Sequence, residues 1–83
     1  MIIVSQDRET IVNFENITRI KVCKYNGENY IQCDFPYGTY EDLGTYKTEE
    51  RTKEVLQEII DTYKFNICNA AGQKQAVYKM PEE

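Results

Sequence analysis

"NITRIKVCKYNGENYIQCDF", residues 16–35, is the stretch whose reading decides the fold. Asn26-Gly27 at its centre is the favoured pair for a two-residue type I′ turn, which requires positive φ at both central positions. Such a turn sets Tyr25 opposite Glu28, Cys23 opposite Tyr30, Val22 opposite Ile31, Ile20 opposite Cys33 and Arg19 opposite Asp34. Because strand side chains alternate, one face then carries Ile20, Val22, Ile31, Cys33 and Phe35. The other carries Arg19, Lys21, Cys23, Tyr25, Tyr30, Gln32 and Asp34. Turn chemistry and apolar alternation are independent signals, and they give the same register. Arg19 and Asp34 fall directly opposite and are placed to pair across the strands.

Working outward, "MIIVS" (1–5) and "ETIVNF" (9–14) are β-branched, apolar and separated by the polar "QDR", which predicts a first hairpin. The consecutive Ile2, Ile3 and Val4 predict a strand covered on both faces, by the helix on one side and a second subunit on the other. "PYGTYEDLGTY" (36–46) opens on a Pro36–Gly38 turn and continues as a fifth strand through Leu43 to Tyr46, with Gly44 marking a bulge.

"YKTEERTKEVLQEIIDTYKF" (46–65) has helical periodicity. Thr48 is placed as N-cap, and Glu49 and Glu50 lie in the first turn, where the helix dipole favours anions. At 100° per residue, Thr52, Val55, Leu56, Ile59, Ile60 and Tyr63 make one apolar face and predict a helix over 48–64. The tail has a turn at Gly72 and a short apolar segment, Ala76 to Met80, stopped by Pro81, which predicts a terminal edge strand. The fold class expected for this single domain, 1–83, is α+β. It is an antiparallel meander of about five strands, one amphipathic helix packed on one face and a short C-terminal strand.

Composition bounds the function. A chain of 83 residues has room for one sheet and one helix. Net charge of −4 opposes broad binding to nucleic acid backbone. There is no His and only one Ser, so Ser-His-Asp and Cys-His nucleophile systems and His-bearing zinc sites are ruled out within one chain. Three cysteines, Cys23, Cys33 and Cys68, are too few for a Cys₄ site and suit a reducing cytoplasm. No apolar run is long enough for a bilayer, and the N-terminal residues do not read as a signal peptide. A non-enzyme without metal or cofactor, localised to the cytoplasm, is expected. A carboxylate pair or a lone thiolate is what remains for an enzyme. The pair is set aside because the acids lie on a convex helix face, and the outward Cys23, beside Lys21 and Lys24, because a catalytic thiol without His is unusual.

Two surfaces are candidates. Arg19, Lys21, Tyr25 and Tyr30 share the outer hairpin face, with Lys24 close by, and Tyr37 and Tyr40 occupy the following loop. Tyr and Arg concentrate in interface cores and stack on nucleotide bases, although Tyr also simply favours sheets. Glu50, Glu54, Glu58 and Asp61 form an acidic stripe on the outer helix face. Like charges at i,i+4 repel, and Glu49–Lys53 is the one well-oriented opposite pair. A solvated face and a face for a basic partner both fit that pattern.

"MIIVSQDRETIVNFENI" and "LGTYKTEERTKEVLQEII" resemble a group of small uncharacterised proteins of Gram-positive bacteria and their prophages. The resemblance covers these two blocks, about half of the chain, and brings no functional residues with it. It implies an accessory role, with counter-defence as its setting: occupying a host protein or sequestering a nucleotide-like ligand, as a homodimer. A four-stranded sheet followed by a helix and paired as a dimer also looks like the coactivator-type single-strand-binding fold. That alternative requires Arg19, Lys21 and Lys24 to form one basic stripe with Tyr25 and Tyr30.

Overall fold

The computed structural model describes residues 1–68 and 76–83, with the side chains of 66–68 left aside. Six strands and one long helix follow in order. They are β1 (Ile2–Val4), β2 (Ile11–Asn13), β3 (Arg19–Tyr25), β4 (Glu28–Asp34), β5 (Tyr40–Tyr46), α1 (Glu49–Cys68) and β6 (Val77–Lys79), with a short 3-10 turn at Phe14–Asn16. The α+β class stands, with five strands before the helix and one after it. The strands divide into two three-stranded sheets, ordered β2-β1-β6 and β3-β4-β5. The expected terminal edge strand is present and runs parallel to β1, with Ile3 opposite Tyr78. The turn expected at Gly72 lies outside the described residues.

The central hairpin has the register that its turn dictates, from Tyr25 opposite Glu28 to Arg19 opposite Asp34. Asn26 and Gly27 both have positive φ, 52° and 79°, as a type I′ turn demands. In the pairing of β4 with β5, Ile31 faces Gly44 but Gln32 faces Asp42, so Leu43 is an extra residue. This bulge sits beside Gly44, where the sequence placed one. It reverses the alternation, leaving Tyr40 and Asp42 on the outer face while Leu43 and Tyr46 are buried.

Helix α1 begins where Thr48 Oγ1 accepts from the Arg51 amide at 3.0 Å. It runs to Cys68, four residues past the expected end. Thr52, Val55 and Ile59 are fully buried, whereas Ile60, expected on the same face, lies at its exposed margin. One core gathers Met1, Ile3, Val12 and Met80 from the first sheet, Ile31, Cys33, Leu43 and Tyr46 from the second, and Val55 and Ile59 from the helix. Phe14 and Tyr63 join its edge with ring centroids 4.6 Å apart. Burial pushes the Cys33 thiol up to about 11, as expected for an inert core cysteine. Among the described residues β1 is covered on one side only: Ile3 is buried, Ile2 and Val4 are half-buried, and their neighbours Ile11 and Val77 are exposed.

Gln6 joins the two sheets. Its backbone N–H donates to Leu43 O at 2.8 Å. Its side-chain amide accepts from Thr45 N at 2.9 Å and donates to Thr45 O at 2.9 Å, pairing with the edge of β5 as another strand would. The same Nε2 reaches Pro81 O and Glu82 O at 3.3 and 3.0 Å. A Cβ on Gly44 would stand 3.3 Å from Gln6 Cβ and 3.0 Å from the Tyr46 hydroxyl, so glycine is what lets this approach happen.

Replacing Gln6 with Ala removes the side-chain bonds and is expected to lower the unfolding free energy by about 2 kcal/mol, at roughly 1 kcal/mol per net hydrogen bond. Gln6→Glu should cost a similar amount, because a carboxylate cannot donate to the Thr45, Pro81 and Glu82 carbonyls. Urea unfolding followed by tyrosine fluorescence checks both; wild-type midpoints in the two variants would show that the sheets are joined by their core alone.

Candidate functional site

The outer face of β3-β4-β5 turns away from the helix, and cross-strand pairing fixes its rows. Arg19, Asp34 and Tyr40 are neighbours, then Lys21, Gln32 and Asp42, then Cys23, Tyr30 and Thr45. Over the second and third rows lies a depression of about 380 Å³ lined by Cys23, Lys24, Tyr25, Tyr30, Gln32, Tyr40 and Asp42. That volume falls in the range of small-molecule sites. Tyr25 and Tyr40 are 68% and 61% exposed, ample ring surface for a partner to cover. A smaller depression of about 250 Å³, containing Gln6, Asp7, Gly44 and Thr45, shares Tyr30 and Asp42 with it, so the two form a trough across β4 and β5.

The floor of this cradle is hydrogen-bonded. Gln32 Nε2 donates to Asp42 Oδ1 at 2.7 Å, and Cys23 Sγ donates to Gln32 Oε1 at 3.6 Å. Tyr30 is held by its hydroxyl, which donates to Glu28 Oε2 and is kept protonated above its ordinary range by that bond. Gln32 was already legible as an outward residue of β4. Asp42 was not singled out; the signal for it is the i,i+2 spacing from Tyr40, which puts both on one face of β5.

Of the six expected ligand residues, the structure brings Tyr25, Tyr30 and Tyr40 together. Arg19 and Lys21 are drawn to Asp34 instead. Arg19 Nε and Nη2 lie 2.8 and 2.7 Å from Asp34 Oδ2, and Lys21 Nζ lies 3.7 Å from the same oxygen. Tyr37, 92% exposed, stands over a different depression of about 490 Å³, formed by residues 15–18 against Phe35, Pro36 and Thr39. A continuous basic stripe beside the tyrosines is therefore absent among the described residues, because two of its three cations are drawn to one carboxylate, Asp34.

The acidic helix face is also partly engaged inside the chain. Arg51 Nη1 lies 3.2 Å from Glu54 Oε1 and 3.3 Å from Glu58 Oε2, while its Nε donates to Glu83 O at 3.0 Å. Glu58 further accepts from the Tyr78 hydroxyl at 2.8 Å. Burial, followed by this bond, raises the Tyr78 pKa. Asp61 accepts from Gln57 at 2.9 Å. Arg51 is a cation that the sequence reading did not single out; it lies three residues before Glu54 and seven, two turns, before Glu58.

Among the described residues, no three metal-ligating side chains cluster and no helix is long and apolar enough to cross a membrane. No protein-family model, curated protein or solved structure matches the chain.

The Arg19 guanidinium, helped by Lys21, holds the Asp34 carboxyl below its ordinary range. A carboxylate lowered on folding stabilises the protein above its unfolded pKa, near 3.9, and that contribution is lost as pH falls through the folded value. Carboxyl NMR titration should place the Asp34 midpoint below that of an unfolded reference peptide. Arg19→Ala should move it back up; a midpoint indifferent to Arg19 would show the pair to be broken in solution.

Proposed function

We propose that this protein is a non-catalytic binding protein whose working surface is the tyrosine cradle on the outer face of β3-β4-β5. One observation carries the reading: Tyr25, Tyr30 and Tyr40, from three different strands, converge on one depression with a polar floor of Gln32 and Asp42. Aromatic rings presented in this way suit a flat, unsaturated ligand, and stacking on such a ring contributes about 1–3 kcal/mol per nucleobase. Sequestration of a nucleotide-like molecule is the form of binding that fits this site. The phage or prophage setting, a counter-defence role and a cytoplasmic location belong to the same proposal and rest on the resemblance of residues 1–17 and 43–60.

The protein acts as a homodimer in this proposal. What supports it is the apolar side of the first sheet, where Ile2 and Val4 lie beside exposed Val77 and Ile11. A host protein bound through Glu50, Glu54, Glu58 and Asp61 is less favoured, since Arg51 already offsets Glu54 and Glu58. Single-strand nucleic acid binding is less favoured as well, since Arg19 and Lys21 are paired with Asp34.

Native mass spectrometry of protein purified from its expression host reads assembly and carried ligand together. A dimer is expected, with a nucleotide-sized adduct that is lost at high collision energy. Tyr40→Ala should release the adduct and leave the dimer intact. A ligand-free protein that also fails to bind any nucleoside monophosphate at millimolar concentration would overturn the cradle as a nucleotide site, and a monomer would overturn the dimer.

A further inference from the structure

We infer that the base recognised in this cradle is guanine, selected by Asp42 with Gln32 beside it; the inference rests on the reading of the cradle as a nucleotide site. The Gln32 amide is fixed at both ends. Its oxygen accepts from Cys23 Sγ and one of its N–H groups donates to Asp42 Oδ1. An amide nitrogen carries two hydrogens, so one donor remains. An ionised carboxylate has about four lone-pair sites, of which Gln32 occupies one, so Asp42 keeps acceptor capacity on both oxygens. Going along the floor, the cradle thus offers a donor followed by two acceptors.

The Watson–Crick edge of guanine is the complement of that order: the O6 acceptor, then the N1–H and N2–H₂ donors. Adenine presents a donor and an acceptor there, and uracil an acceptor, a donor and an acceptor. Adenine can meet the Gln32 donor with N1 and one Asp42 oxygen with N6–H₂ but has no donor for the second oxygen, so it makes two bonds where guanine makes three. Uracil sets O2 against the carboxylate, and an acceptor facing an acceptor costs affinity. Charge-assisted bonds to a carboxylate are also the stronger kind. The tyrosine rings supply stacking that does not depend on which base is present, so discrimination falls to the floor.

Charge sets the rest of the ligand. Lys24 is the cation in the lining, because Arg19 and Lys21 are held on Asp34. Asp7 and Asp42 line the adjoining part of the trough. One ammonium against these carboxylates suits a single phosphate placed on the Lys24 side and opposes a triphosphate. A small cation would also sit well over tyrosine rings beside a carboxylate, but it would leave the Gln32 donor and Lys24 facing like charge.

Isothermal titration of the full chain with GMP, AMP and UMP tests this, with the Gln32 side-chain amide followed by ¹⁵N NMR. GMP is expected to bind at least tenfold more tightly than AMP or UMP and to shift the Gln32 amide resonances. Asp42→Asn swaps one acceptor for a donor at an exposed position. It should weaken GMP at least tenfold and bring the GMP preference within threefold. Equal affinities in the unaltered protein would overturn guanine selection and leave the cradle as a general base-stacking site. Retained preference in Asp42→Asn would overturn the role of Asp42. Binding of none of the three would overturn both this inference and the reading beneath it. The trinucleotide UGU separates the two sources of guanine: tighter binding than GMP assigns a single strand, weaker binding a free nucleotide, and guanine is the recognised group in both.

Discussion

The side chain of Gln6 is the hydrogen-bonded junction between the two sheets. The two sheets share side chains in one core, but among the described residues no strand of one is hydrogen-bonded to a strand of the other. Gln6 bridges that gap. Its amide completes the Thr45 pairing on the open edge of β5, and its backbone N–H takes the carbonyl of the bulged Leu43. An unpaired sheet edge invites pairing with another chain; here a single side chain caps it. The same amide reaches the tail carbonyls at Pro81 and Glu82, so one residue ties the first turn, the fifth strand and the C-terminal segment together. Such a junction requires backbones to approach closely, and Gly44 provides the space.

The cradle inherits its shape from this junction. Without the extra residue at Leu43, strict alternation from Tyr40 would put Tyr46 on the outer face. With it, Tyr46 turns into the core, where burial pushes its phenol up to about 12, and its hydroxyl donates to Pro81 O at 2.8 Å. Tyr40 and Asp42 stay outside, level with Tyr30 and Gln32. One bulge therefore separates a structural tyrosine from those available for binding. Bulges bend and retwist a strand locally, and this one lies between the pinned edge at Thr45 and the open part of the trough.

Local signals made most of the hairpin legible. Asn26-Gly27 fixes φ at two residues, and every pair from Tyr25–Glu28 to Arg19–Asp34 follows by counting. The helix was equally open to reading, since Thr48 and the Val55–Ile59 spacing are contained within a few turns. What escaped were long-range pairings between residues with ordinary local surroundings. Gln6 reads as one polar turn residue, and nothing in "SQDR" announces Thr45, 39 positions away. The division into two sheets was hidden for the same reason, because β6 joins β1 across nearly the whole chain. Asp42 was obscured by its bulge, and the draw of Asp34 on Lys21 by the fact that this pair is diagonal rather than directly opposite.

The acidic helix face and the tyrosine face both first read as surfaces for a partner, and the balance of charge inside the chain separates them. On the helix, Arg51 binds Glu54 and Glu58 and also holds Glu83 O, while Tyr78 donates to Glu58. Glu58 fastens the helix to β6 and Arg51 fastens it to the tail, and a basic partner would have to displace contacts that the fold uses. On the sheet, Asp34 draws Arg19 and Lys21 together and offsets one of their two charges, which weakens the long-range attraction that phosphate backbones need. It also leaves Lys24 as the cation lining the cradle beside the rings of Tyr25, Tyr30 and Tyr40 and the Asp42 carboxylate. A surface with little free positive charge but rich in ring area and directed hydrogen bonds discriminates by shape and donor pattern more than by attraction. Such a surface suits one small planar ligand better than a polyanion.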